Sequence, residues 1–177
     1  MYQEFFSLKM KPFSISPDPD FLYLSGRHKE AIAHLQHGLR GHAGFVLLTG
    51  EVGTGKTTIC RSLVENMSSD TDIAFILNPA LNEIELLTTI CDSFNIQYEK
   101  NNLSSLFAEL SAWMLENHQN NRHAVVLIDE AQHLSFAALE QLRLLTEVES
   151  NHQKTLQVIL IGQTELQAKL KQDIFLL

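Results

Sequence analysis

Cysteine is scarce in this chain of 177 residues: there are two, Cys60 and Cys91. Each falls in an apolar helical pattern rather than a C-x-x-C or metal-ligand spacing, which argues against a disulfide framework and suits a reducing compartment. Eight glycines and four prolines are too few for a collagen-like or low-complexity chain. No apolar run approaches the ~18 residues of a membrane span, and Met1 to Leu8 lacks the basic flank and apolar stretch of an export signal. Positive charge is also short. Thirteen Lys and Arg face 21 Asp and Glu, a net charge of −8 that argues against a surface holding nucleic acid by phosphate neutralisation. There is no internal repeat, no Ser-, Gly- or Pro-rich linker and no charge block. One domain over 1–177 is therefore expected, with a strap and helix over 1–43 leading into a core over 44–177.

What the sequence does contain is strand-helix alternation. Pro12, Pro17 and Pro19 suppress regular structure near the start and predict an extended strap packed by Phe5, Phe6, Phe13 and Phe21. Ile32, Leu35 and Leu39 then recur at helical spacing between Gly26 and Gly41. Four continuous apolar runs follow, Phe45 to Leu48, Ile73 to Leu77, Ala124 to Ile128 and Leu156 to Ile161, the pattern of strands covered on both faces. Helical patterns separate them: Thr57 to Asn66; Ile84, Leu87, Cys91 and Phe94; and Leu106, Leu110 and Met114. A last helix carries Leu134, Ala138, Leu142 and Leu145. Asn82 with Glu85 three residues on reads as a capping box. This rhythm predicts a three-layer α/β fold with a mostly parallel sheet.

The decisive segment is Gly50-Glu51-Val52-Gly53-Thr54-Gly55-Lys56-Thr57, a full G-x-x-x-x-G-K-[ST] match between an expected strand and an expected helix. The glycines let the backbone curl so that successive N–H groups face phosphate oxygens, and the helix N-terminus adds partial positive charge. In that reading Lys56 reaches the β- and γ-phosphates of a nucleotide, Thr57 gives its hydroxyl to Mg²⁺, and Thr58 contacts the α-phosphate. The plain alternative is a glycine turn that only joins strand to helix.

A second element is the apolar strand that ends in Asp129-Glu130. Beside a phosphate loop, Asp129 is expected to hold Mg²⁺ and Glu130 to orient the attacking water. The alternative is that the pair caps the helix opening near Leu134, where the dipole favours anions. Gln163, past the last strand through Gly162, is expected to reach the γ-phosphate, with Thr164 as the second choice. A polar residue after a strand is commonplace, so that role stays a hypothesis. His34, His37 and His42 lack the partners of a zinc site and read as solvated histidines. Asp129-Glu130-Ala131-Gln132-His133 has the lettering of a helicase DExH box, without other helicase motifs. Trp113 and Met114 read as ordinary core.

The opening Met1-Tyr2 with Phe5-Phe6, Pro12-Phe13, Pro17-Asp18-Pro19 and Phe21-Leu22-Tyr23-Leu24 adds specificity that a phosphate loop alone lacks. Together with Gly50-Glu51-Val52-Gly53-Thr54-Gly55-Lys56-Thr57-Thr58, Asn78-Pro79, Asp129-Glu130-Ala131-Gln132 and Ile161-Gly162-Gln163-Thr164-Glu165-Leu166, it resembles the AAA+ ATPases of the general secretion pathway protein A type. Thr164 stands where that family often has Pro. The resemblance covers essentially the entire chain.

It implies a P-loop ATPase core of AAA+ type on the cytoplasmic face of the inner membrane. Such a core binds ATP and Mg²⁺, forms homo-oligomers and works with an inner-membrane partner protein in type II secretion, where it helps assemble the secretin. It also implies adenine contacts from Pro12, Phe13 and Tyr23. A helical lid with an arginine finger and a second sensor arginine is expected beyond this stretch. Arg143, on the helix after the acidic pair, is a poor substitute. Two other readings remain open: a DNA-associated AAA+ ATPase of transposition-regulator type, and a nucleotide-gated assembly switch with little turnover. A small-molecule kinase fits less well, because the acidic pair favours water as acceptor. The motifs alone do not choose adenine over guanine.

Overall fold

The computed structural model describes residues 5–7, 25–41, 43–77, 79–150 and 152–171. The strap residues Pro12, Phe13, Pro17, Pro19, Phe21 and Tyr23 lie outside them, as does His42. Phe5 and Phe6, expected to pack the strap, are 81% and 65% exposed, with their rings edge-to-face at 4.9 Å.

Four parallel strands form the central sheet: β1 (Phe45–Thr49), β2 (Thr71–Ile76), β3 (His123–Ile128) and β6 (Leu156–Gly162). A short antiparallel pair, β4 (Glu149–Ser150) and β5 (Gln153–Lys154), stands apart from it. The sheet order is β1-β6-β3-β2. In register, Val126 of β3 lies between Ala74 of β2 and Val158 of β6, and Leu47 of β1 pairs with Leu160. All of β6, and all of β3 after His123, is buried, as continuous apolar runs require. Both faces of β1 and β2 are packed as well: Phe45, Ala74 and Ile76 go with the larger cluster, and Val46, Leu48, Ile73 and Phe75 with the smaller. As the edge strands of this sheet among the described residues, the two are nonetheless mostly half-buried, and Leu47 is exposed.

Among the described residues, six α-helices flank the sheet: α1 (Gly26–Arg40), α2 (Lys56–Glu65), α3 (Glu83–Ser93), α4 (Leu103–Gln119), α5 (Phe136–Thr146) and α6 (Glu165–Leu170). Side-chain alternation along the inner strands builds the layers. Val125, Leu127, Ile159 and Ile161 pack with Leu35 of α1 and Ile59, Cys60 and Leu63 of α2. Val126, Ile128, Val158 and Leu160 pack the other way, with Leu86, Ile90, Leu110, Met114 and Leu142 from α3, α4 and α5. Trp113 stacks on Phe94 at 4.4 Å, so the Trp113–Met114 face is ordinary packing.

Local chemistry sets the helix ends. Asn82 and Glu85 form the expected capping box, each side chain bonded to the other's backbone N–H at 2.9 Å. α5 starts later than the sequence suggests. Ser135 caps it through the Ala138 N–H at 3.0 Å, while Ala131–His133 forms a separate 3₁₀ turn ahead of it. Asp129 and Glu130 therefore do not cap α5. The β4–β5 pair and α6 were not expected from the apolar pattern, being short and mostly polar.

Leu142 on α5 is fully buried in the larger cluster. Leu142→Ala is expected to destabilise the fold by about 2–5 kcal/mol, the cost of lost transfer energy plus a cavity. A lowered urea midpoint at unchanged slope would register it.

Candidate active site

The chain leaves β1 at Thr49 and enters α2 at Lys56, so residues 50–55 make the turn at the carboxyl ends of the strands. Gly53 and Gly55 sit at φ +77° and +80°, the left-handed region where a side chain is strained. Lys56 folds back over this loop: its ammonium donates to the carbonyls of Gly50 at 2.9 Å and Glu51 at 2.8 Å. The Thr54 hydroxyl also donates to the Glu51 carbonyl, at 2.8 Å, while Val52 stands 75% exposed. Because Gly55 is the N-cap of α2, no side chain caps the first-turn N–H groups of Lys56, Thr57 and Thr58. Those donors and the helix dipole favour an anion at this end.

Thr57 and Asp129, 72 positions apart, meet directly. The Thr57 hydroxyl donates to Asp129 Oδ2 at 2.6 Å. Asp129 is 4% exposed, its Oδ1 accepts from the Glu130 N–H at 2.9 Å, and its own N–H continues the ladder to the Ile76 carbonyl. A hydroxyl and a fixed carboxylate side by side are hard oxygen donors of the kind Mg²⁺ takes. The residues present fit that ion.

Glu130 adopts φ 53° and ψ 37°, a left-handed conformation rare for a residue with a side chain. Its Oε2 accepts from Gln132 Nε2 at 2.5 Å and from Gln163 Nε2 at 3.4 Å. The Gln132 amide, followed by Gln163, Lys56 and His133, holds the Glu130 carboxyl below its ordinary value against the opposing effect of burial. Gln163 thus faces Glu130, whereas Thr164 is exposed and makes no cap bond to α6.

Sequence reasoning missed three contributors. His28 accepts the Ser25 N–H on Nδ1 at 3.4 Å, which leaves Nε2 to donate to the Thr54 carbonyl at 3.1 Å and ties α1 to the loop. Its signal was a polar residue three positions after Ser25, the cap spacing with His in place of Glu. Gln132 lay within the Asp129-Glu130-Ala131-Gln132 motif, but its bond to the Gln163 N–H depends on β6, and no local spacing shows it. Gln167 Nε2 donates to Thr49 Oγ1 at 2.7 Å, fastening α6 to the end of β1. A cavity of about 500 Å³ lies beside the loop, between Ser25, Arg27 and His28 on one side and Leu48, Thr49 and Ile59 on the other.

The remaining candidates lie elsewhere. His34 is exposed beside Glu30 on α1, and Arg143 is engaged by Glu140 and Glu147 on its own helix. Among the described residues, no group of three or more His, Cys, Asp and Glu side chains is arranged to hold a metal, and no helix is long and apolar enough to cross a membrane. Burial, reinforced by the charge of Asp129, pushes the Cys60 thiol up to about 12, and burial pushes Cys91 up to about 11. Neither forms thiolate at pH 8. A thiol-reactive chromogen should leave both unmodified in the folded protein at that pH and modify both in denaturant.

Residues 39–170 match the AAA domain family. The chain belongs to that family. Nucleotide binding by a P-loop comes with this membership, and the three-layer fold agrees with it. Over 175 residues, 98% of this chain, the sequence is 54% identical to General secretion pathway protein A of Aeromonas hydrophila, covering 32% of that protein. It is 30% identical over 127 residues, 71% of the chain, to Replication factor C subunit 4 of Oryza sativa subsp. japonica, covering 34% of it. The chain thus spans about a third of the length of these relatives. Among solved structures, Cdc6p from Pyrobaculum aerophilum superposes with a TM-score of 0.67 at 19% identity, over 86% of this chain and 45% of that one. The ORC2 protein of Aeropyrum pernix, in ADPNP–ADP complexes, superposes at 0.65 and 18% identity, over 93% and 46%. At such identities the likeness concerns the fold alone.

Proposed function

We propose that this AAA domain is an Mg²⁺-dependent ATPase module that serves the assembly or operation of a type II secretion system. One observation carries the chemistry: Lys56, Thr57, Asp129, Glu130 and Gln163, from the loop and two strand ends, converge through contacts of 2.6 Å between Thr57 and Asp129 and 3.4 Å between Gln163 and Glu130. The loop glycines and the first-turn N–H groups of α2 cradle the phosphates, and Lys56 moves from the loop carbonyls to their oxygens. Thr57 and Asp129 hold Mg²⁺, which when bound neutralises phosphate charge. Glu130 orients water for attack on the terminal phosphorus, and Gln163 reads the same region from β6. The cavity beside His28 takes the nucleoside, with Pro12, Phe13 and Tyr23 as the proposed adenine contacts.

The secretion role rests on the 54% identity to General secretion pathway protein A. It carries with it the proposals of homo-oligomerisation, an inner-membrane partner, a cytoplasmic location and a role in secretin assembly. The test is ATP, ADP and GTP binding with and without Mg²⁺, together with phosphate release across a range of protein concentrations. Mg²⁺-dependent ATP turnover that rises with concentration supports the oligomeric ATPase. Binding without turnover reduces the module to a nucleotide-gated switch, and failure to bind any nucleotide overturns the reading.

A further inference from the structure

Glu130 does not meet Gln163 on its own. Between them stands Gln132, whose amide Nε2 donates to Glu130 Oε2 at 2.5 Å while its Oε1 accepts the backbone N–H of Gln163 at 3.2 Å. Only a side chain with a donor and an acceptor on one carbon makes both bonds. A carboxylate could not donate to Glu130, and an aliphatic chain could serve neither partner. The two partners also fix which end of the amide is nitrogen, since a carboxylate needs a donor and an N–H needs an acceptor.

The seat is built around this side chain. Gly162 has no Cβ, and one placed there would lie 2.7 Å from Gln132 Oε1 and 2.8 Å from Cδ2 of the buried Leu166, too close for either to stay. The backbone of Gln132 is held as well: Lys169 of α6 donates to its carbonyl at 2.9 Å and to the carbonyl of Leu134. On the far side, the Gly162 carbonyl accepts the Gly50 N–H of the phosphate loop at 3.2 Å. A continuous arc of bonded groups therefore runs from the loop through the end of β6 and Gln132 to Glu130. Among the described residues it occupies one carboxylate oxygen, Oε2, and leaves Oε1 with no hydrogen bond.

We propose that Gln132 is the positioning residue of the hydrolytic step: it commits Glu130 Oε2, turns Oε1 toward the attacking water, and locks Glu130 and the end of β6 into one unit. This rests on the ATPase reading above and deepens it. Gln132 touches no reacting atom, so its removal acts on turnover and not on nucleotide capture.

The test compares wild type, Gln132→Ala and Gly162→Ala in the full chain. In Gln132→Ala, kcat for ATP should fall about 10- to 100-fold, the scale of a catalytic group let loose by about an ångström. The ADP dissociation constant and KM should stay within about 2-fold. Hydrogen-exchange protection of the Gln163 amide should drop, because its acceptor is gone. Gly162→Ala, which displaces the Gln132 amide together with the Leu166 side chain, should also lower kcat and the protection of the Gln163 amide. Unchanged kcat in Gln132→Ala, or losses of kcat and ADP affinity in equal measure, or an unchanged Gln163 amide, would each overturn the proposal. If the wild type turns over no ATP while binding it, the hydrolase reading fails. The exchange comparison then still decides whether Gln132 carries the Gln163 amide.

Discussion

Lys56→Ala is expected to weaken ATP binding at least ~100-fold, to the point where ordinary titration detects none. The Lys56 ammonium is held against the loop by the carbonyls of Gly50 and Glu51, at 2.9 Å and 2.8 Å, so its charge already stands where a phosphate would arrive. A unit charge ~4 Å from an opposite one is worth about 4 kcal/mol at the effective dielectric of a protein surface. A hundredfold change in affinity needs only about 2.7 kcal/mol. Part of the gain is offset because Lys56 must release two carbonyls, which is why the prediction stops at ~100-fold. The backbone of α2 starts at Lys56 and the residue is only partly buried, so the thermal midpoint should move by no more than a few degrees. Calorimetric titration with Mg²⁺ and ATP, set beside a melting curve of the same sample, separates lost binding from lost folding. Arginine in place of lysine should rescue little, since its larger planar fork does not replace a compact point charge inside the tight loop. Retention of micromolar ATP binding by Lys56→Ala would leave the phosphate loop without its assigned function.

The parts of this arrangement that the sequence discloses are those written in local spacing. A phosphate loop is eight consecutive residues, and its glycines at φ +77° and +80° are needed by the turn itself, so the motif and its geometry coincide. Asp129-Glu130 could be read because an apolar strand that ends in two carboxylates is anomalous within its own segment. The Asn82–Glu85 cap likewise depends on four residues. Non-local facts were hidden. Whether a continuous apolar strand lies inside or at an edge depends on the order β1-β6-β3-β2, which no run of Val, Ile and Leu encodes, so the cover of both faces of β1 and β2 was legible and their half-open edge position was not. Gln163 was placed at the right strand end, but its facing of Glu130 across 33 positions follows from β6 lying beside β3. Gln132 is the sharpest case: Glu130 is two positions away, but the Gln163 N–H reaches its amide only because the end of β6 closes over it, so the motif held the residue without disclosing the link it makes.

Glu130→Gln should cut ATP turnover by about 10²- to 10⁴-fold while ATP affinity stays within a few-fold of wild type, the range for losing a group that accepts or directs a proton at the reacting centre. The change replaces one oxygen by an amide nitrogen at nearly constant volume, so packing has no reason to respond. The remaining side-chain oxygen can still accept the Gln132 and Gln163 amides, with the new nitrogen turned outward in place of Oε1. The left-handed backbone at residue 130 is set by the turn between β3 and the 3₁₀ segment, and Gln tolerates it no worse than Glu. What disappears is the negative charge and the lone pair that would face water. Lys56, Thr57 and Asp129 are untouched, so capture of the nucleotide persists and hydrolysis does not. That separation distinguishes Glu130 from its neighbour: Asp129→Ala leaves the Thr57 hydroxyl without its 2.6 Å acceptor and should weaken Mg²⁺-dependent binding as well as turnover. Single-turnover assays at saturating ATP, with equilibrium binding on the same samples, read the two effects apart. A Glu130→Gln variant that hydrolyses ATP at the wild-type rate would move the water-directing role to another group. A variant that accumulates in an ATP-bound, self-associated form, seen as light scattering that wild type shows only transiently, would tie the hydrolytic step to disassembly.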